Sequence, residues 1–292
     1  MTPGLKQMTS ALKIGLVGSG ALGSALAQRL HQRRFKIIAV VSRNTRTAQH
    51  IAAKINCPHS GSDVSLLRNC NFIIIAVPDA QISRVATKIS DKSLVSRNTI
   101  LVHTSGALNA NILLTVKSSG RSKFSVAALH PMQTFPADVK WNNQTLDNYF
   151  NNIYFGIDGD KRALPVLKNV ARAIGAGAFI IPGKMKALYH AGGVMTSNFM
   201  IALMFLAQKI YSHAGLDERQ SEQLLQPIML QTLHNIFKFG VVSSLTGPAA
   251  RNDQTIIKKH LKDLKVFGTD FQNVYKDLTR ICYMIAQNRE LK

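Results

Sequence analysis

The sequence predicts an α/β fold: a doubly wound parallel sheet over residues 1–182, followed by an all-helical domain over 183–292. Three observations carry this prediction. Strand-like and helix-like runs alternate through the first half, a glycine-rich turn joins the first such pair, and the pattern becomes purely helical after Pro182-Gly183. The apolar segments 14–17, 37–41, 72–77, 100–102 and 126–129 are short, rich in β-branched residues and bounded by Gly, Pro, Asn or Ser, as buried parallel strands are. Between them, 21–31, 45–55 and 81–89 carry apolar residues at helical spacing. Alternation of this kind implies a parallel sheet with helices on both faces. Two further strands are expected at 153–157 and 178–181, around a helix at 163–174.

In the second domain, 184–214 reads as one long helix capped by Gly215. Helices at 218–239, 253–266 and 271–288 follow, with Pro227 expected to kink or interrupt the first of them. At 292 residues, two domains each have room for a core. Apolar residues at 46% and charged residues at 17% are globular proportions and exclude a disordered chain. The longest uninterrupted apolar run near the centre, 199–207, has 9 residues against the roughly 20 of a membrane span, so no span and a soluble protein are expected. The N-terminal stretch lacks a continuous apolar core with a cleavage site and is read as folded structure. Cys57, Cys70 and Cys282 are odd in number and widely spaced, so neither disulfides nor a metal site is expected, and a reducing cytoplasm is the default location.

The charge is the unusual feature. Thirty-six basic against 15 acidic residues give a formal +21. The excess is spread along the chain, with only short clusters such as Arg33-Arg34 and Lys258-Lys259, and no nucleic-acid-binding motif accompanies it. A generally basic surface that draws in small anions is therefore expected, and nucleic acid is not.

Gly18-Ser19-Gly20-Ala21-Leu22-Gly23 follows the first strand and opens the first helix. The first glycine permits the tight turn, the second admits a pyrophosphate to the backbone, and the third lets helix and strand pack closely. The helix N-terminus then offers free N–H groups to the phosphates. This is a Rossmann-type dinucleotide site. At the end of the second strand stand Ser42-Arg43-Asn44, with Arg46 close by, where an NAD enzyme usually carries a carboxylate. Arg43 can pair with a 2′-phosphate, with Ser42 adding a hydrogen bond, so NADP(H) is the expected cofactor. The strand ends Val77-Pro78-Asp79, His103-Thr104-Ser105-Gly106 and His130-Pro131-Met132-Gln133 are expected to meet at one crevice, with Val77, Pro78 and Thr104 at the cofactor.

On the long helix, Lys186, His190 and Ser197 fall within about 40° of one face, with Asn198 at its margin. Downstream, Gly247-Pro248 breaks one helix, Asp253 can cap the next, and Arg251 is a candidate anchor for a substrate carboxylate.

His103-Thr104-Ser105-Gly106, Leu129 to Phe135 (LHPMQTF), Tyr189-His190-Ala191 with Ser197-Asn198, and Thr246-Gly247-Pro248 with Arg251 and Asp253 together resemble one family. It comprises short Rossmann-like NADP-dependent oxidoreductases with a C-terminal helical domain long labelled as of unknown function, some members of which are ketopantoate-reductase-like. Two departures are Asn252, where the family usually has Gly, and Gly193, where Ala is common. The resemblance extends from about residue 12 to nearly the end. It implies NADPH-dependent reduction of a small anionic 2-oxo acid, 2-dehydropantoate to pantoate being the most specific expectation, and a homodimer through the helical domains. Alternatives are an imine or deazaflavin-type reductase, or an NADP(H)-binding sensor without turnover. In the reductase reading, Lys186 or His190 donates the proton. Asn198 and Ser105 orient the carbonyl, His130 and Ser197 line the pocket, and Arg251 with Asp253 attends the carboxylate.

Overall fold

The computed structural model describes residues 11–115 and 124–287. The chain divides into two compact units between Ser197 and Asn198. The first contains an eight-stranded sheet in the order β3-β2-β1-β4-β5-β6-β7-β8. Its strands are β1 (Lys13–Val17), β2 (Lys36–Val41), β3 (His59–Gly61), β4 (Phe72–Ile75), β5 (Ile100–His103), β6 (Ser125–Pro131), β7 (Tyr154–Gly159) and β8 (Gly177–Ile180). The six strands β1 to β6 are parallel in the doubly wound order 3-2-1-4-5-6.

Helices α1 (Ala21–Gln32), α2 (Thr45–Lys54) and α3 (Asp79–Asp91) connect successive strands, within two or three residues of their expected bounds. Phe72, Ile73, Ile74 and Ile75 of the central strand β4 are all fully buried, which explains why that segment is uniformly apolar instead of alternating. Each such side chain contributes roughly 1.5–3 kcal/mol through burial.

The sheet departs from an all-parallel one at β7, which pairs antiparallel with β6, while β8 runs parallel to β7. After β6 the chain passes through helix α4 (Asn143–Phe150), capped by the Asn142 side chain on Thr145 N–H, and re-enters the sheet opposite Pro131. No crossover carries it back to the start of β6, so the strand direction reverses. Neither α4 nor the three-residue β3 is among the expected elements. Arg29, fully buried on α1, ties this added layer to the doubly wound part. Its guanidinium donates to Ile174 C=O at 2.8 Å, to Asn151 and to Asp147, and stacks over Phe150. Helix α5 (Ala163–Ala173) returns the chain to β8.

Instead of one helix over 184–214, a 3₁₀ turn (Gly183–Met185) leads into α6 (Lys186–Thr196), and α7 (Asn198–His213) follows a break at Ser197. Ser197 has φ −115° and ψ −69°, and its N–H reaches Gly193 C=O at 3.0 Å. Helix α6 belongs to the first unit because its Lys186 is fully buried there, which moves the division beyond the expected residue 182.

The second unit contains α7, α8 (Glu218–Phe239), α9 (Gln254–Asp263) and α10 (Thr269–Ala286). Helix α8 begins with a reciprocal capping box between Asp217 and Gln220 and runs on through Pro227, so the expected interruption does not occur. A 3₁₀ turn (Leu264–Phe267) replaces the last turn expected of α9, and the expected helix end at Asn288 lies outside the described residues.

By length and composition, the helical run Gly183–His213 is apolar enough to cross a membrane, with mean hydropathy 1.3 over its best window. The expectation that no segment qualifies is thereby corrected. It rested on unbroken apolar residues, whereas hydropathy averaged along a helix tolerates interspersed Gly, Ser, Thr and His. The first half of this run is nonetheless packed on the sheet of its own unit through Lys186 and Tyr189.

Candidate active site

The glycine turn has the shape a dinucleotide requires. Gly18 adopts φ +109°, and a Cβ there would lie 2.1 Å from the Ala76 carbonyl oxygen, so only glycine lets β1 and β4 part this closely. At Gly20 a Cβ would meet nothing within 4 Å, leaving that stretch of backbone open to an incoming group. At Gly23 a Cβ would fall 2.3 Å from the Gly18 carbonyl oxygen, so the close approach of helix and turn requires glycine. Leu22 packs against the core, so Leu22 and Gly23 support the turn from behind instead of lining the cleft. Ala21 lines a smaller hollow that shares Ser19 and Gly20 with the cleft. Gly18 N–H donates to Val41 C=O at 2.8 Å, and the Ser19 hydroxyl donates to the Ser42 hydroxyl at 2.6 Å, which fastens the turn to the end of β2.

A cleft of about 1060 Å³ opens at this switch point, lined by Gly18, Ser19, Gly20, Ser42, Arg43, Val77 and Pro78 among others. Asn44 caps α2 by accepting from Thr47 N–H at 3.2 Å, which sets Arg43 and Arg46 on the cleft wall. Both are exposed and neither forms an ion pair among the described residues. With Lys88 they give the wall three cations and no carboxylate. These residues fit a dinucleotide that carries an extra phosphate on its ribose. Thr104 is buried at the end of β5, with its N–H on Ile75 C=O, and is not among the residues lining this cleft.

The polar strand ends do come together. Lys186, fully buried, donates from Nζ to the Ser105 carbonyl at 3.1 Å, and its amine lies 5.5 Å from the centre of the Tyr189 ring. The hydroxyl end of Tyr189 packs on Gly156 of β7, where any Cβ would fall 2.5 Å from it. Its hydroxyl is 3.2 Å from His130 Nδ1. His190, one turn beyond Lys186, meets the His130 ring edge-on at 5.6 Å. Burial lowers the Lys186 amine from 10.5 to about 8, against the opposing pull of Asp158 and Asp79. It lowers His130 to about 4, helped by the Lys186 charge. His103 is likewise held near 4 by burial, and both ring nitrogens are engaged: Nδ1 accepts from Ser105 N–H, and Nε2 lies 3.1 Å from Asn109 C=O. At neutral pH the Lys186 ammonium thus stands beside the neutral imidazoles of His130 and His103.

Gly106 makes this packing possible. A Cβ there would lie 2.4 Å from His190 Cδ2 and 2.8 Å from His130 Nε2. We expect Gly106→Ala to displace both rings and lower turnover by about 10-fold or more, with nucleotide affinity unchanged. Steady-state kinetics beside a nucleotide titration checks this, and an alanine variant with full turnover would refute it.

One expected role changes. Ser105 does not offer its hydroxyl to a substrate, because that group donates to Asp79 Oδ2 at 2.7 Å and accepts from Ala107 N–H and Leu108 N–H. Ser197 is the residue between α6 and α7, still in the αR region with its N–H on Gly193 C=O. Asn198, Arg251 and Asp253 lie in the second unit. Asn198 and Arg251 are exposed, and Asp253 caps α9 by accepting from Ile256 N–H on Oδ1 at 3.1 Å. Asn252 has φ +56°, a left-handed conformation that asparagine tolerates and glycine adopts freely, which accounts for the exchange at that position. At Gly193, a Cβ would press the Met132 sulfur at 2.9 Å.

Three participants were not assigned roles from sequence. Tyr189 and Asp79 adjoin residues that were. Asp158 gives no local signal, because only the antiparallel β6–β7 pairing brings it to the site.

Residues 3–131 match the family model described as a Rossmann-like domain. The first unit has a Rossmann fold. Residues 153–281 match the model described as Domain of unknown function (DUF2520). No curated protein matches the chain. Among solved structures, TM1727 from Thermotoga maritima is 29% identical with a TM-score of 0.71, covering 94% of this chain and 98% of that one. BF3122 from Bacteroides fragilis, described as a "putative NADP oxidoreductase", is 23% identical with a TM-score of 0.73, covering 93% and 98%. A Plasmodium falciparum pyrroline carboxylate reductase, solved with NADP bound, is 14% identical with a TM-score of 0.59, covering 94% and 98%. At 23% and 14% identity these last two likenesses establish a shared fold.

Proposed function

We propose that the protein is an NADP(H)-dependent oxidoreductase that reduces a small anionic 2-oxo acid or imine, with 2-dehydropantoate as the first substrate to assay. The observation that carries this reading is the buried Lys186 amine, set among His130, Tyr189 and His190, in the same unit as a glycine turn with an open backbone and a cationic wall. Bound NADPH supplies the hydride. Gly20 leaves room for its pyrophosphate, and Arg43, with Ser42 beside it, takes the 2′-phosphate. Lys186 serves as the acid: with its amine near 8 it is protonated at pH 7 yet close enough to neutrality to give up the proton as charge develops on a carbonyl oxygen. His130, neutral at that pH, holds Tyr189 in place. The surplus of basic residues attracts an anionic substrate.

The imine reading draws support from the pyrroline carboxylate reductase that shares the fold. Purified protein, NADPH and a panel of 2-oxo acids and cyclic imines, followed at 340 nm, test the proposal. Oxidation with at least one member supports it. NADPH binding without turnover on any member would favour a sensor.

The second unit leaves Phe199, Ile201 and Phe205 of α7 more than half exposed, with Ile228, Leu230 and Phe237 of α8. Apolar surface on this scale calls for a cover, and we take a second copy of the chain to provide it. A dimer mass by light scattering is expected. A monomer, or partition into lipid vesicles, would contradict that assignment. We also propose a cytoplasmic location, where the three free cysteines would stay reduced.

A further inference from the structure

We propose that Asp79 and Ser105 form a positioning pair that holds the Lys186 ammonium in the site. The inference deepens the proposed function and rests on it for its catalytic meaning. Ser105 is almost fully buried, and its hydroxyl uses its whole bonding capacity: it donates to Asp79 Oδ2 at 2.7 Å and accepts from Ala107 N–H at 3.2 Å and Leu108 N–H at 3.1 Å. Its N–H is spent on His103 Nδ1 at 3.1 Å. The group that remains, the carbonyl, receives Lys186 Nζ. Thus the side chain of Ser105 fixes the turn, and the turn presents one acceptor to one buried cation.

Asp79 is the anchor of that turn. It sits in the first turn of α3, directly after Val77 and Pro78, which line the nucleotide cleft. A carboxylate in a helix's first turn has an ordinary role, complementing the helix dipole. That role needs no bond to Ser105, whereas the observed 2.7 Å contact links the cleft wall to the lysine's acceptor in two steps. The groups facing Lys186 are Asp79 from α3, Asp158 from β7, His103 from β5, His130 from β6, and Tyr189 from its own helix, while His190 meets the His130 ring. His103 and His130 are neutral at pH 7, so the two carboxylates are the charges that oppose the amine's desolvation. Asp158 is held separately, by Ala110 N–H on its Oδ2 at 2.8 Å.

The test follows the lysine itself and needs no substrate. In full-length protein labelled with ¹³C-lysine, the Lys186 ε-carbon signal, assigned by its loss in Lys186→Met, is titrated with pH. A wild-type midpoint near 8 is expected. In Asp79→Asn and in Ser105→Ala the midpoint should fall by roughly half a pH unit or more, since each change weakens the support of the charged form. Ser105→Thr, which keeps the hydroxyl, should restore it. Midpoints in Asp79→Asn and Ser105→Ala that coincide with wild type would overturn the proposal. If Ser105→Ala does not fold, the near-isosteric Asp79→Asn decides alone. NADPH titration of the same samples separates the two levels: wild-type protein that fails to bind NADPH strikes the proposed function, while the lysine midpoints judge the positioning pair independently.

Discussion

Lys186→Met is expected to lose about 10³-fold in kcat while retaining NADPH affinity, because a positioned general acid typically contributes 10²–10⁴-fold. The same substitution should make the protein more stable at neutral pH. The amine's folded value of about 8 lies below its ordinary 10.5, so between those values the unfolded chain binds more protons than the folded one. Wild-type stability therefore rises as pH increases from 8 to 10.5, and the full cost of burying the charge is present below pH 8. Methionine fills similar space without that cost, for a gain on the order of 2–3 kcal/mol, less whatever the bond to Ser105 contributes. Urea unfolding at several pH values checks this. The wild type should gain stability between pH 8 and 10.5, and the variant should show no such rise. A variant that is less stable at pH 7 and still turns over would remove Lys186 from the role assigned to it.

Arg43→Glu should weaken NADPH binding by about 100-fold and strengthen NADH binding. A charge-assisted contact of this kind is worth roughly 1.5–3 kcal/mol. Reversing the charge adds repulsion toward the phosphate and supplies the carboxylate that ribose hydroxyls prefer. Arg46 and Lys88 remain on the cleft wall, so some NADPH affinity should persist. Fluorescence titration with each nucleotide measures both effects. A dissociation constant for NADPH within twofold of wild type would contradict the assignment of Arg43.

Much of this was legible in the sequence because the determinants are local. The glycine turn, the strand before it and the helix after it lie within about 20 residues, and the three glycines occupy the places their roles require. Arg43 at the end of β2 was readable for the same reason. The site was harder to read. Lys186 and His190 are one helical turn apart and were found by spacing, but Ser105 drew a substrate role that its engaged hydroxyl forbids. Nothing in the sequence near Asp158 shows that β7 runs against β6, so its approach to Lys186 was invisible. Helical periodicity carried the reading straight through Ser197, the single residue that separates α6 from α7, and a kink or interruption was expected at Pro227, where the helix runs on. Local propensity is a weak prior at such points, and tertiary context overrides it.

The most direct test is a crystal structure with NADP⁺ bound. The pyrophosphate is expected against Gly20, the 2′-phosphate on Arg43, and the nicotinamide edge directed to the strand ends that carry Ser105 and His130, on the side of Lys186. A nucleotide bound elsewhere, or a nicotinamide directed away from Lys186, would contradict this placement.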